Sequence, residues 1–224
     1  MGETIRITAA DGHTFDAYRA EASGTPKGAL VVVQEIFGVN SHIRDVCDRF
    51  AADEYTCLSP ALFDRTKPGV ELGYTGETVE EGRDLRAAVG WDGPVADVAA
   101  CLQAQRDAGF AKVGVVGYCW GGSLAFLAAC RSGADAAVGY YGGQIIEFVD
   151  ERPKSPVMLH FGAEDYAIPL DDVKTISEKH PEIPVYVYKG AGHGFSCDQR
   201  ADFNPEATAQ ARSRTLEHFA EHLA

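Results

Sequence analysis

Gly117-Tyr-Cys-Trp-Gly121 sets a cysteine midway between two glycines. It follows the β-branched run Val113–Val116 and precedes a helix-forming stretch from Gly121 through Leu124, Phe126, Leu127 and Ala128. A buried strand, a tight turn and a helix are expected, with Cys119 at the corner. The pattern is that of the Gly-x-Ser-x-Gly nucleophile elbow, with cysteine in place of serine. At such a corner, side chains two residues either side of the nucleophile would collide, so both positions favour glycine. The helix N-terminus points its dipole and free N–H groups at the sulfur, which favours a thiolate and a nearby oxyanion. With 6 Cys and 24 Gly in 224 residues, about 0.07 matches to this spacing are expected by chance, so an inert buried cysteine is the weaker reading.

Two further residues complete a chemistry. Asp165 follows the apolar run Pro156–Gly162, and His193 sits in the glycine-rich loop Gly190–Phe195. The order nucleophile, acid, histidine is that of α/β-hydrolases. His193 would exchange a proton with Cys119 and then with the leaving group, and Asp165 would hold the imidazole tautomer. Glu164 is the alternative register for Asp165. Glu35 ends the run Ala29–Gln34 and is expected to be partly buried. A buried carboxylate must be hydrogen-bonded, protonated or paired with an arginine. The N–H groups of Ile36 and Trp120 stand where hydrolases take their oxyanion donors.

The elements that position these residues follow from periodicity. Glu3–Thr8 and His13–Ala20 alternate polar and apolar around Ala10-Asp11-Gly12, which reads as an edge hairpin. Ala29–Glu35, Tyr55–Leu58, Val113–Val116, Ala136–Tyr141, Pro156–Gly162 and Pro184–Tyr188 read as strands. Helices are expected over about twelve residues capped by Ser41, over Glu77–Val89, from Pro94 to Gly109, over Leu170–Lys179 and over Pro205–Leu223. Alternating strands and helices predict one α/β domain over residues 1–224: a mostly parallel, doubly wound sheet of about eight strands with helices on both faces. Ligands in such sheets bind at the carboxyl ends of the strands.

Composition narrows the function. The net charge of −13 argues against nucleic-acid and anionic-membrane partners. Any anionic substrate needs a local basic pocket. No apolar run approaches a membrane span, and Met1–Arg6 lacks the core of a signal peptide, so a soluble cytoplasmic protein is expected; a monomer is the expected state. The six cysteines show no CxxC framework and read as reduced thiols, with Cys197 the least certain of the five expected core fillers. His218-Phe-Ala-Glu-His222 matches an H-x-x-E-H metal pattern, but the chain ends two residues later and a solvated helix face is the expectation. No metal, nucleotide or organic cofactor is implied.

Gln34–Asn40, Gly117–Gly122, Gly139–Gly142 and Gly192–Phe195, in register from Asp11 to the last helix, resemble the dienelactone hydrolase (carboxymethylenebutenolidase) family. The resemblance implies an α/β-hydrolase fold and hydrolysis of a small lactone ester through Cys119. It implies that Glu35 contacts the resting thiol and takes its proton when substrate binds. A nearby carboxylate would keep the resting thiol protonated and protected from oxidation, against the helix dipole. It also implies arginines that grip a substrate carboxylate, and here the sequence departs. Four residues after His193, where the family has arginine, stands Cys197, with Arg200 three further on. On the helix over 77–89 the family arginine falls near Glu80, and Arg83 is the nearest basic residue. Arg65 fits the family's loop pattern, with a structural role as the alternative. Arg65, Arg83, Tyr118 and Phe37 are the candidate substrate-binding residues. The departures leave open a broader carboxylesterase or thioesterase, and fold alone also permits a non-catalytic ligand-binding homologue.

Overall fold

The computed structural model describes residues 2–224; Met1, the first residue of the stretch read for a signal peptide, lies outside the described residues. In chain order the elements are β1 (Glu3–Thr8), β2 (Thr14–Ala20), β3 (Gly28–Val33), α1 (Ser41–Ala52), β4 (Tyr55–Pro60), α2 (Gly76–Val89), α3 (Asp92–Asp107), β5 (Val113–Tyr118), α4 (Trp120–Leu127), β6 (Ala136–Tyr140), β7 (Val157–Gly162), α5 (Leu170–Lys179), β8 (Val185–Tyr188) and α6 (Pro205–Leu223). The eight strands form one sheet in the order β1-β2-β4-β3-β5-β6-β7-β8. β1 pairs antiparallel with β2, and β2 with β4, while all other pairs are parallel. The central strands β3, β5, β6 and β7 are buried along their whole length. Burial on both faces is why their sequences are continuous apolar runs rather than alternating ones.

Helices cover both faces. α1 and α6 share one, where the rings of Phe50 and Phe219 lie 6.5 Å apart. α3 and α4 pack together on the other. No helix among the described residues is long and apolar enough to cross a membrane.

Several boundaries differ from expectation, each for a local reason. β3 stops at Val33, so Gln34 and Glu35 leave the ladder as its carboxyl-end loop. The Gln34 amide then accepts from Leu62 N–H and donates to the Glu35 carbonyl, fixing that loop from below. The α1 cap is Asn40 rather than Ser41: its side chain accepts from Ile43 N–H at 3.2 Å. Asn outranks Ser little as a cap, so sequence alone does not choose between neighbours. α3 begins at Asp92, with Pro94 inside its first turn. His218 is not on a solvated face but is 5% exposed, because α6 packs the Ala211, Thr215, His218, Phe219 face inward.

Candidate active site

β5 ends one residue before Cys119, and α4 starts one residue after it. Cys119 has φ 55° and ψ −119°, a conformation that L-residues avoid. The flanking glycines are required by contact. A Cβ on Gly117 would lie 1.8 Å from the Gly121 carbonyl oxygen. A Cβ on Gly121 would lie 2.4 Å and 2.5 Å from the carbonyl oxygens of Val33 and Gln34. The elbow thus presses against the carboxyl end of β3, and Ile36 just beyond that end lines the same cavity as Cys119. Cys119 N–H donates to the Tyr140 carbonyl at 3.0 Å, tying the turn to β6.

His193 and Asp165 meet the cysteine. His193 Nε2 lies 3.2 Å from Cys119 Sγ, and His193 Nδ1 lies 2.8 Å from Asp165 Oδ2. Asp165 Oδ1 accepts from Ala167 N–H at 2.8 Å, which fixes the carboxylate plane. Glu164 points into solvent, so Asp165 is the residue in register with the imidazole. Burial opposes the charged imidazolium of His193, but the adjacent Cys119 sulfur and the Asp165 carboxylate outweigh it. They hold its pKa well above the ordinary histidine value. The arrangement can carry a sulfur nucleophile, a proton carrier and a carboxylate that orients it.

Glu35 is fully buried, and its side-chain partners are Arg200 and Tyr74, not the Cys119 thiol. Its Oε1 lies 3.4 Å from Arg200 Nη1, and its Oε2 accepts from Tyr74 O–H at 3.3 Å. Asn40 Nδ2 in turn donates to Tyr74 Oη at 3.1 Å. Of the options open to a buried carboxylate, both a hydrogen bond and a pairing with an arginine are observed. The guanidinium of Arg200 also lies over the rings of Phe37 and Tyr74, 5.9 Å and 5.6 Å from their centroids. Tight turns bring it there: Cys197 N–H donates to the Gly194 carbonyl and Arg200 N–H to that of Cys197.

Cys119 and His193 open into a cavity of about 270 Å³, lined also by Ile36, Phe37, Val79, Arg83, Arg86, Gly143, Gln144, Tyr166, Ala167, Ile168 and Arg200. Three guanidinium groups therefore line a pocket of a chain whose net charge is −13. α2 brings two of them, Arg83 and Arg86, one turn apart. Its close seat depends on Gly82, where a Cβ would lie 2.2 Å from the Ile36 carbonyl oxygen. A wider groove of about 690 Å³ lies between β7, β8 and α6; it holds neither Cys119 nor His193.

Of the four candidate substrate-binding residues, Arg83 and Phe37 line this cavity and two do not. Arg65 is bound to Asp97 through Nε and Nη2 at 2.8 Å and 2.7 Å, and to Asp11 through Nη1 at 2.8 Å. Asp97 is fully buried, so Arg65 is held as its counter-ion, away from the pocket. Tyr118 is buried and stacked on Tyr140, ring centroids 4.8 Å apart. Strand alternation sends it to the α1 side of the sheet, opposite the cavity. Arg86, Gln144, Tyr166 and Ile168 were not legible as pocket residues. Only Arg86, three residues after Arg83 on one helix face, carried a usable signal.

The other five cysteines are free and buried, as expected of reduced core thiols. Burial pushes the Cys197 thiol up to about 11, and the Glu35 carboxylate adds to the shift.

Comparison with known proteins identifies the family. Residues 15–223 match the model of the dienelactone hydrolase family. The carboxymethylenebutenolidase of Pseudomonas putida is 34% identical over 228 residues, covering 98% of this chain and 97% of that protein. The carboxymethylenebutenolidase of Pseudomonas sp. strain P51 is 33% identical over 236 residues, covering 97% of this chain and 94% of the other. A crystal structure from Klebsiella pneumoniae, described as that of a "Putative Dienelactone Hydrolase", superposes with a TM-score of 0.88 at 29% identity and covers 99% of this chain and 98% of that one. The eight-stranded, mostly parallel sheet is accordingly an α/β-hydrolase fold.

Proposed function

The chain belongs to the dienelactone hydrolase family, a family of hydrolases, and on that premise we propose that it cleaves the ester bond of a small anionic lactone through Cys119. The observation that carries the reading is the unbroken line Cys119–His193–Asp165, with contacts of 3.2 Å and 2.8 Å, opening into a cavity lined by arginines.

In this reading the Cys119 sulfur, as thiolate, attacks the ester carbonyl carbon. The raised pKa of His193 supports an imidazolium beside that sulfur. The negative oxygen of the tetrahedral intermediate accepts from the N–H groups of Trp120 and Ile36. Trp120 is the first residue of α4, so its N–H has no partner within the helix. The carbon–oxygen bond of the ester then breaks, and His193 Nε2 gives its proton to the departing oxygen. In a lactone that oxygen stays tethered to the acyl group. Water, deprotonated by His193, attacks the thioester. The acid leaves and Cys119 is regenerated.

The arginines support an anionic substrate. In this reading Arg200, Arg83 and Arg86, which line the cavity, take the place of the arginine that is absent at position 197. A substrate carboxylate drawn to Arg200 competes with Glu35 for the same guanidinium. That competition would release Glu35 to accept the Cys119 proton, the role the family implies for it. With the acidic composition, the proposal extends to a cytoplasmic, monomeric, single-domain enzyme acting on a small molecule, without nucleic-acid or membrane partners.

Steady-state kinetics test this. A dienelactone carboxylate should be hydrolysed with kcat/KM at least about tenfold above that for a neutral aryl ester of similar size, since one desolvated ion pair contributes at least about 1.4 kcal/mol. Neutral esters turned over much faster than the lactone would redirect the reading to a broader esterase.

A further inference from the structure

Behind Arg200, away from the cavity wall, Glu35, His42 and Cys197 bring one carboxylate oxygen, one ring nitrogen and one sulfur within 4.8 Å of one another, all three residues buried. They come from separate parts of the fold: the loop after β3, the first turn of α1, and the loop that follows His193.

His42 is the anomaly. It is fully buried, yet neither Nδ1 nor Nε2 has a hydrogen-bond partner. The Asp198 carboxylate approaches Nδ1 only to 3.9 Å, too far for a hydrogen bond. A buried imidazole with both nitrogens unsatisfied is costly unless something else uses a lone pair. Cys197, fully buried beside it, is the residue at which this sequence leaves the family's arginine pattern. Two unusual features thus sit in one cluster, and together with Glu35 they supply sulfur, nitrogen and oxygen donors.

We propose that Glu35, His42 and Cys197 form a binding site for a borderline-soft divalent cation of the zinc class. The donor set excludes the hard cations, since magnesium and calcium take oxygen ligands. Zinc accepts thiolate, imidazole and carboxylate together, with bonds of about 2.0–2.3 Å. Such bonds put ligand atoms roughly 3.3–3.8 Å apart, so the cluster tightens by about 1 Å on binding. The charges balance. One dication meets one carboxylate and one thiolate, which leaves a neutral cluster in a buried place. Binding breaks the Cys197 S–H bond, forms the sulfur–metal bond and releases one proton to solvent. It also takes Glu35 from Arg200, whose guanidinium, 11% exposed, then turns to the cavity. Three protein ligands leave a fourth position open.

The test uses the full-length, reduced protein after chelator treatment, titrated with Co2+ as the spectroscopic probe. A thiolate-to-cobalt charge-transfer band saturating at one equivalent is expected in the wild type and in Cys119→Ala, and its loss in Cys197→Ser. His42→Ala should weaken Co2+ binding at least about tenfold, the loss of about 1.4 kcal/mol or more from one ligand. A wild-type spectrum without the band would overturn the proposal, as would a band that survives Cys197→Ser and disappears in Cys119→Ala. Should Cys197→Ser not fold, Zn2+ titration of Cys119→Ala in weak buffer decides the matter. One proton released per zinc supports the site, and none overturns it.

Discussion

Replacing Arg200 by methionine removes the counter-ion of a carboxylate that has no access to water. Glu35 is fully buried, Arg200 Nη1 lies 3.4 Å from it, and Tyr74 O–H is its other partner. At an effective dielectric constant of about 20 the pair attracts by about 5 kcal/mol at that separation, which sets a ceiling. Freeing the guanidinium from burial and from a long, single contact offsets part of this, so the expected loss is about 3 kcal/mol, the low end for breaking a buried pair. For a chain of this length, that lowers the midpoint of thermal unfolding by about 6–12 °C. The decisive arm is the double variant. Arg200→Met with Glu35→Gln leaves a neutral amide that still accepts from Tyr74, so it should recover to within about 1.5 kcal/mol of wild type. Urea denaturation of the four proteins in the cycle gives both figures. A single variant that loses less than about 1 kcal/mol, or a double variant no more stable than the single one, would show that burial of the pair has been misjudged. The same variant bears on chemistry: Arg200→Met should raise KM for an anionic lactone far more than for a neutral ester.

Other consequences are independent of that pair. Gly121→Ala puts a methyl group within 2.5 Å of two backbone oxygens at the end of β3, so it should cost about 3 kcal/mol in urea denaturation. Because the displaced backbone carries Ile36, kcat should fall by about 100-fold even where the variant is folded. Arg65→Met strands the buried Asp97 and should destabilise by about 3–5 kcal/mol while leaving KM within about twofold; a large KM change would return Arg65 to the pocket. Burial lowers the pKa of His160 to about 3 and that of His218 to about 4. Both lie below the unfolded value, so the unfolded chain binds more protons between these pH values and about 6.5. Stability is therefore fully present above pH 6.5 and lost as pH falls, by about 1.4 kcal/mol per unit for each histidine. Unfolding free energies from urea denaturation at pH 6.5 and pH 5 should differ by at most about 4 kcal/mol from these two groups, and a flat profile would contradict their burial as neutral rings.

What sequence made legible was whatever the backbone itself enforces. The pair Gly117 and Gly121 announces an elbow because no other residue fits against Gly121 O or Val33 O. The fully buried strands show as unbroken apolar runs. Asp165 and His193 were visible from their order and from the turns they occupy. Legibility failed where position depends on how a loop folds back. Arg200 reaches Glu35 only because successive turns at Gly194 and Cys197 return the chain to the cavity. Whether Arg65 is a ligand group or a structural one stayed open because its partner, Asp97, is 32 residues away on α3. Tyr118 lay next to the nucleophile in sequence, but adjacent residues of a strand point to opposite faces. His218 read as solvated because a terminal helix gives no hint of the sheet it covers, although Ala211, Thr215 and Phe219 share its face.

The central claim is that Cys119 forms a covalent acyl-enzyme. Mixing enzyme with a slow ester substrate, quenching in acid on the millisecond scale and mapping peptides by mass spectrometry tests it directly. A transient acyl adduct is expected on the peptide bearing Cys119, formed in a burst and longer-lived in His193→Gln, with turnover abolished in Cys119→Ala. Turnover that persists in Cys119→Ala, or an adduct on another residue, would contradict it.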